Sequence, residues 1–264
     1  MKLIGILGCG WLGTKLATKL NSLKWNVKVT KTSTEGAIAL GELGLDSYRI
    51  TLSEDSLNGD LEFFDNLDQL IISIPPKRGL IESFSKKINF LIDTLKLKNK
   101  TRIIFLSSTS VYGKKEGVFN ESSLLFPDTD SSLQLEAAEK MIKKLPNPTV
   151  IIRLGGLIGD DRNPIFVLHK KVIPNPEGVV NFIHQIDAVN GIFKLLTASE
   201  VEGVFNLVSP HHPKRKNYYL EMAKKYSLSA PKFNEQDSIL DRLIEAKKIE
   251  EITDFNYQVD NLLI

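Results

Sequence analysis

Residues 3 to 13 read Leu-Ile-Gly-Ile-Leu-Gly-Cys-Gly-Trp-Leu-Gly: a short apolar run that passes directly into Gly8-x-Gly10-x-x-Gly13. A strand, a tight turn and a helix in immediate succession leave few ways for the rest of the chain to fold. Each glycine grants the backbone a separate permission. Gly8 makes the turn off the strand, Gly10 leaves room for a pyrophosphate to approach, and Gly13 lets the helix pack closely on the strand. The spacing predicts a helix from about Trp11 to Leu23. Its unpaired N–H groups and positive dipole end would point at an anion. With the strand before it and the helix after it, the turn reads as a dinucleotide-binding loop.

The remaining pattern supports an α/β fold. Trp25 to Thr30 alternates like a second strand, and Leu67 to Ile74 is an apolar run stopped by Pro75-Pro76. A helix-length segment from about Glu82 to Leu97 follows, then buried-strand signals at Arg102 to Ser107 and Val150 to Leu154, with a helix from Glu136 to Leu145 between them. Strands that are apolar throughout and separated by helices predict a doubly wound parallel sheet, the NAD(P)-binding Rossmann architecture. The reading places this core at residues 1–156. Beyond it, Pro164, Pro174, Pro176 and Gly178 break the pattern into short pieces. A helix near Ala188 to Ala198, a strand near Val204 to Val208 and a helix near Asn217 to Tyr226 then close a short C-terminal, substrate-side lobe over 157–264, in one structural unit with the core. Ligands of such sheets sit outside the carboxyl ends of the strands. The segments to search for chemistry are therefore Gly8–Gly13, Thr30–Ser33, Ile74–Arg78, Ser107–Gly113 and Arg153–Gly156.

Composition removes several function classes. Thirty-four basic and 32 acidic residues give a net charge of +2, which asks for neither nucleic acid nor an anionic membrane surface. The single cysteine, Cys9, rules out an internal disulfide and suits a reducing cytoplasm. Between two glycines it reads as a small residue of the turn rather than a nucleophile. A strand beginning near residue 2 leaves no room for a signal peptide, and no apolar run approaches membrane-spanning length. His211-His212 lacks partners at ligand spacing, so no metal is expected, and His169 carries no signal.

A second motif is more specific. Phe105-Leu-Ser-Ser-Thr-Ser-Val-Tyr-Gly113 resembles the strand-end motif of the extended short-chain dehydrogenases of the epimerase/dehydratase group. Further pieces follow in the family's order: Glu121 and Pro127, Ile152 to Gly159, Asn181 to Asp187, and Gly203 to Val208. The resemblance covers nearly the whole chain. Within the group the chain is similar to the YeeZ-type atypical subgroup, through Gly10-Trp-Leu-Gly13, the serine-rich turn and the short C-terminal lobe. It implies Ser107 beside the cofactor, Ser108 as the family serine, and a nucleotide sugar or small carbonyl compound as substrate.

Family members that transfer hydride carry a Tyr-x-x-x-Lys pair on one helix face, in which the lysine lowers the tyrosine pKa. Aligning Ala137-Ala138-Glu139 on that helix puts Ser131 at the tyrosine position and Leu135 at the lysine position. No tyrosine lies between Tyr112 and Tyr218. The resemblance therefore implies cofactor binding more strongly than it implies the usual reaction. Tyr112 and His184 are the substitute proton partners to consider. Each has a plainer role open to it, Tyr112 as a packed residue of the turn and His184 in a structural hydrogen bond. The chain reads either as an oxidoreductase or epimerase working through other residues, or as a catalytically silent NADP sensor or scaffold.

The end of the second strand bears on which cofactor is bound. NAD-preferring folds place an acid there to hold the ribose hydroxyls. This chain has Thr30-Lys31-Thr32-Ser33 and no acid before Glu35. A cation and hydroxyl groups suit a 2′-phosphate, so NADP is expected ahead of NAD. With Gly8, Gly10, Trp11, Leu12 and Gly13 of the turn, and Ile74 and Pro75 as a stiff wall, these residues complete the predicted cofactor site.

Overall fold

The structure, a computed structural model, describes residues 2–76, 83–95, 100–236 and 240–263. The chain opens with β1 (Leu3–Leu7), α1 (Trp11–Ser22), β2 (Asn26–Lys31), α2 (Thr34–Glu42), β3 (Asp46–Leu52), β4 (Leu57–Gly59) and β5 (Gln69–Ile72). It continues through α3 (Phe84–Leu95), β6 (Arg102–Ser108), β7 (Gly117–Phe119), α4 (Asp130–Ile142), β8 (Thr149–Leu154), β9 (Gly156–Ile158), α5 (Ile165–Leu168) and β10 (Val172–Ile173). The last elements are β11 (Phe182–His184), α6 (Gln185–Thr197), β12 (Gly203–Leu207), α7 (Arg215–Lys225), β13 (Lys232–Phe233), β14 (Arg242–Ile244) and α8 (Lys247–Ile252).

Eight strands form one sheet in the order β12-β8-β6-β5-β1-β2-β3-β4. β1 pairs in parallel with β2 on one side (Ile6 opposite Val29) and with β5 on the other (Ile6 opposite Ile71). The chain first winds outward from β1 through β2 and β3, and afterwards crosses to β5 and β6. The strand order thus reverses between β1 and β5, which is where this architecture opens its ligand crevice. The doubly wound α/β fold read from the sequence is the fold observed. Among the described residues, no helix is long and apolar enough to cross a membrane.

Local chemistry accounts for the elements that the sequence pattern placed poorly. α4 starts at Asp130, well ahead of the expected Glu136, because Thr129 and Ser132 form a reciprocal capping box: each side chain takes the other's backbone N–H. α2 is short and largely exposed, with Leu40 its one buried residue, so it left little apolar periodicity to read. The ends of the expected helix 82–97 that fall at Glu82 and Leu97, and Lys77 and Arg78 beyond the end of β5, lie outside the described residues.

The chain divides into two compact units, each assembled from separate stretches. Unit 1 comprises Met1–Ser107, Thr129–Ile152 and Leu195–Val204. Its core is made of strand residues such as Ile4, Ile6, Val29, Leu70 and Ile104, together with Leu16 and Leu20 of α1, which recur one turn apart on its buried face. Arg102 and Gln69, neighbours across β5 and β6, reach the carbonyls that end α6: Arg102 Nη1 donates to Leu195 O at 2.8 Å and Gln69 Nε2 to Leu196 O at 3.2 Å.

Unit 2 comprises Ser108–Asp128, Arg153–Lys194 and Phe205–Ile264. Two-stranded pairs, β9 with β11 and β10 with β13, contribute to a cluster that includes Ile165, Ile173, Tyr218, Met222 and Leu262, and a third pair joins β7 to β14. The C-terminal segment is tied down by buried Asp187, whose carboxylate accepts the amides of Gln258 (2.7 Å) and Val259 (3.0 Å), and by His211 Nδ1, which accepts the amide of Leu262 at 2.9 Å.

Candidate functional site

The crevice in unit 1 is a cleft of about 280 Å³. It is lined by the glycine turn (Gly8, Cys9, Gly10), the end of β2 (Thr30, Lys31, Thr32), the end of β3 (Ile50, Leu52), the end of β5 (Ser73, Ile74, Pro75), and Phe84 and Lys87 of α3. With Leu7 of β1, six wall residues outside the turn are aliphatic, aromatic or proline side chains. The two charged ones are both lysines.

The three glycines meet different surroundings. A Cβ on Gly10 would find no atom within 4 Å, so the space beside it is open. A Cβ on Gly8, at φ +94°, would lie 2.6 Å from Ile74 Cγ2. One on Gly13 would lie 3.1 Å from Gly8 O, where helix and turn pack together. No side chain caps the N-terminus of α1 and no acid occupies its first turn. That helix end is electrostatically suited to a phosphate.

Of the residues the sequence assigned to a cofactor, Gly8, Gly10, Thr30, Lys31, Thr32, Ile74 and Pro75 share this cleft. Trp11, Leu12, Gly13, Ser33 and Ser107 are not among its lining. Leu12 and Gly13 are buried, and Trp11 is half-buried as the first residue of α1. Ser33 caps α2, its Oγ accepting the Gly36 amide at 3.1 Å. Ser107 is buried and donates its hydroxyl to Glu139 Oε1 at 2.6 Å. Lys31 is held along the first turn of α2: a Cβ on Gly36 would come within 3.1 Å of its Cγ. The sequence reading did not single out Ile50, Leu52, Phe84 or Lys87 as lining. For Ile50 and Leu52 the signal was available, since strand ends line such crevices, but β3 was not read as a separate strand. Cys9 lies in the same wall, 1% exposed, and burial pushes its thiol pKa up against the opposing pull of a Thr14 hydrogen bond and the Lys31 charge.

The serine-rich turn belongs to unit 2 from Ser108 onward. Ser108 opens a 3₁₀ turn over Thr109–Tyr112, and its Oγ accepts the Ser110 amide at 3.1 Å. Gly113 closes the turn at φ +68°, where a Cβ would lie 1.8 Å from Phe126 O; no other residue fits. Tyr112 is fully buried. Arg153 Nη1 donates to its hydroxyl at 2.9 Å, and that hydroxyl has two acceptors for its one proton, Asn206 Oδ1 at 2.8 Å and Asn120 O at 2.9 Å. Asn206 is fixed in turn, its amide nitrogen donating to Glu245 O (2.8 Å) and its backbone N–H to Glu121 Oε1 (2.7 Å). Burial raises the Tyr112 pKa, and the Arg153 charge only partly offsets it. His184, at the end of β11, is half-buried, and its Nδ1 accepts the Ile186 amide at 3.3 Å. On α4, in unit 1, Leu135 is buried and Ser131 half-buried. Among the described residues, no three His, Cys, Asp or Glu side chains gather as a metal cluster.

The chain matches no known family profile. It is 34% identical over 270 residues to Protein YeeZ of Escherichia coli strain K12, covering all of this chain and 98% of that protein. A functionally unknown conserved protein from Silicibacter pomeroyi superposes with a TM-score of 0.81 at 20% identity, over 100% of this chain and 96% of that one. UDP-glucuronic acid 4-epimerase from Bacillus cereus, solved in complex with NAD, superposes with a TM-score of 0.80 at 18% identity, over 100% and 94%.

Proposed function

The chain belongs to the family of Protein YeeZ, and from that premise we propose that it is an atypical relative of the epimerase/dehydratase-like extended short-chain dehydrogenases that binds NADP in the unit 1 cleft without running their tyrosine–lysine chemistry. The observation that carries the reading is the open space at Gly10, beside an uncapped helix N-terminus in a cleft whose charged lining is entirely cationic. A pyrophosphate needs that clearance and that sign of potential. The solved likeness to an NAD-bound epimerase supports a nicotinamide dinucleotide. Lys31, laid over the first turn of α2, with the hydroxyls of Thr32 and Ser33 beside it in sequence, favours the 2′-phosphate form. Glu35, in the same turn, does not line the cleft. Apolar Ile50 and Leu52 suit the face of an adenine.

When bound, the nicotinamide would supply or accept a hydride. This chain's own residues provide little to move the accompanying proton. Leu135, at the position of the family lysine, is buried and carries no charge. Tyr112 is buried with its hydroxyl committed to three protein partners, so its role here is to hold the turn. Ser108 retains a hydroxyl proton with which to donate to a substrate oxygen, and His184 retains its second ring nitrogen. These two are the residues through which any turnover on a nucleotide sugar or small carbonyl compound would run. The commitment of Tyr112 favours the second reading, a catalytically silent NADP sensor or scaffold.

Calorimetric titration tests the cofactor assignment. NADP should bind more tightly than NAD, and Lys31→Asp should cost NADP about 1–3 kcal/mol relative to NAD. Equal affinities, unchanged in the variant, would remove the argument. The reaction is tested by reduced-nicotinamide absorbance against a panel of UDP-sugars and small carbonyl compounds. The expected result is no turnover at family rates, since a positioned acid–base group contributes about 10²–10⁴-fold. Robust turnover that survives Ser108→Ala would overturn the assignment of Ser108 as well.

A further inference from the structure

We propose that Thr30, which the sequence marks as a ligand contact, is instead the positioning residue that sets the glycine turn for the pyrophosphate. The proposal rests on the dinucleotide reading of the cleft. Thr30 is the fifth residue of β2 and only 2% exposed, so its hydroxyl faces protein. Its Oγ1 accepts the Gly8 amide at 2.9 Å, and its backbone carbonyl accepts the Cys9 amide at 3.0 Å. The Gly10 amide turns back onto Gly8 O at 2.9 Å. One residue of the neighbouring strand therefore takes the first two amides of the turn, and the third bond closes the turn on itself.

The opposite side is blocked. A Cβ on Gly8 would lie 2.6 Å from Ile74 Cγ2 and 3.1 Å from Ile74 N. Gly8 thus packs against Ile74, just beyond β5, too closely for any side chain, and bonds to Thr30 of β2 on the other side. The position of Gly10 and its open space follow from that clamp. The chain then runs from Thr30 directly into Lys31 and Thr32 in the wall of the same cleft. Replacing the hydroxyl with a methyl removes the acceptor while leaving the backbone carbonyl that bonds Cys9 and the β-branched shape in place. The turn should then lose its register relative to the helix end, and every ligand that relies on the pyrophosphate should suffer alike.

The test measures the affinities of ADP, NAD and NADP by calorimetry for the parent, Thr30→Val, Thr30→Ser and Lys31→Met, with melting temperatures taken without ligand. Thr30→Val should weaken all three ligands by about tenfold and leave the NADP-to-NAD ratio unchanged, while its ligand-free melting temperature falls by a few degrees because the Gly8 amide loses its acceptor. Thr30→Ser keeps the acceptor and should bind within about twofold of the parent. Lys31→Met should lower the NADP-to-NAD ratio, with a smaller loss shared by ADP and NAD from the reduced positive potential of the cleft. Parent-like binding by Thr30→Val, or failure of Thr30→Ser to recover what Val loses, overturns the positioning role while the cofactor reading stands. A parent that binds none of the three overturns the cofactor reading, and this assignment with it. If Thr30→Val does not fold, amide exchange in the ligand-free parent decides. Gly8 and Cys9 must both be protected, and rapid exchange at Gly8 refutes the clamp.

Discussion

The glycine turn after β1 and the serine turn after β6 are both short motifs that follow a buried strand, yet the structure treats them in opposite ways. The glycine turn in unit 1 stays open: a side chain at Gly10 would touch nothing, and the helix end behind it has no capping side chain. The serine turn in unit 2 is filled by its own partners. Tyr112 is fully buried under Arg153, and its hydroxyl meets Asn206 and Asn120 at once. The difference lies in where each motif keeps its chemistry. A glycine turn works through backbone amides and empty space, so its function can be judged by what an added Cβ would strike. A serine–tyrosine turn works through side-chain protons, so it depends on whether those protons remain uncommitted. Gly10 keeps open space beside it, and in the second turn Ser108 keeps its hydroxyl proton while the Tyr112 hydroxyl is taken up by protein partners.

The largest expected effect breaks the open side. Gly10→Val should lower dinucleotide affinity at least about 100-fold, because the branched side chain fills pyrophosphate space. Its melting temperature without ligand should stay near the parent's, since nothing in the protein occupies that space. Calorimetry and a melting curve on the same sample check both halves. Binding within a few-fold of the parent would mean that the open space serves another purpose.

The complementary variant breaks the closed side. Tyr112→Phe keeps the ring and removes the hydroxyl. It takes the hydroxyl away from Arg153 Nη1 and Asn206 Oδ1, at about 1–3 kcal/mol of stability, while leaving the affinity for NADP unchanged. Denaturant unfolding with and without NADP measures both. If stability is untouched and reduced-nicotinamide turnover on the substrate panel disappears instead, Tyr112 is a catalytic group and the contrast between the two turns collapses.

The sequence made one half of this contrast much easier to read than the other. The strand–GxGxxG–helix order is local, and its residue types are dictated by backbone geometry, so Gly8, Gly10 and the wall residues Lys31, Ile74 and Pro75 could be named in advance. The parallel sheet was legible for a similar reason, because strands buried on both faces show as unbroken apolar runs. The capping box that starts α4 at Asp130 is written in Thr129 and Ser132, but it is easily missed where a hydrophobic run is the guide. What stays hidden is the direction in which a hydroxyl points. From sequence, Ser33, Ser107 and Thr30 read as cofactor contacts, and Tyr112 as either a proton partner or a packed residue of the turn. Ser33 caps a helix, Ser107 gives its proton to Glu139, Thr30 receives an amide of the glycine turn, and Tyr112 is locked by partners that lie as far as 94 residues away in sequence. Such pairings exist only after folding, and no spacing rule encodes them.

The smallest effect sharpens the contrast through pH. His212, in unit 2, donates from Nδ1 to Val180 O at 3.1 Å, and burial holds its pKa below the ordinary value of 6.5. The folded chain therefore prefers the neutral ring, while the unfolded chain binds the proton more readily. The contribution is fully present above pH 6.5 and is lost as pH falls below that value through the folded-state pKa. Acid should thus loosen the neighbourhood of His212 before the glycine turn responds. Amide exchange at about pH 7.5 and about pH 5.5 should show protection falling first around Val180 and His212, with Gly8 and Cys9 unchanged. His212→Asn retains a donor and cannot titrate, so it should flatten the stability–pH curve in that window. Equal loss of protection in both units, or an unaltered acid response in His212→Asn, would mean that the filled side holds no such proton-linked weakness.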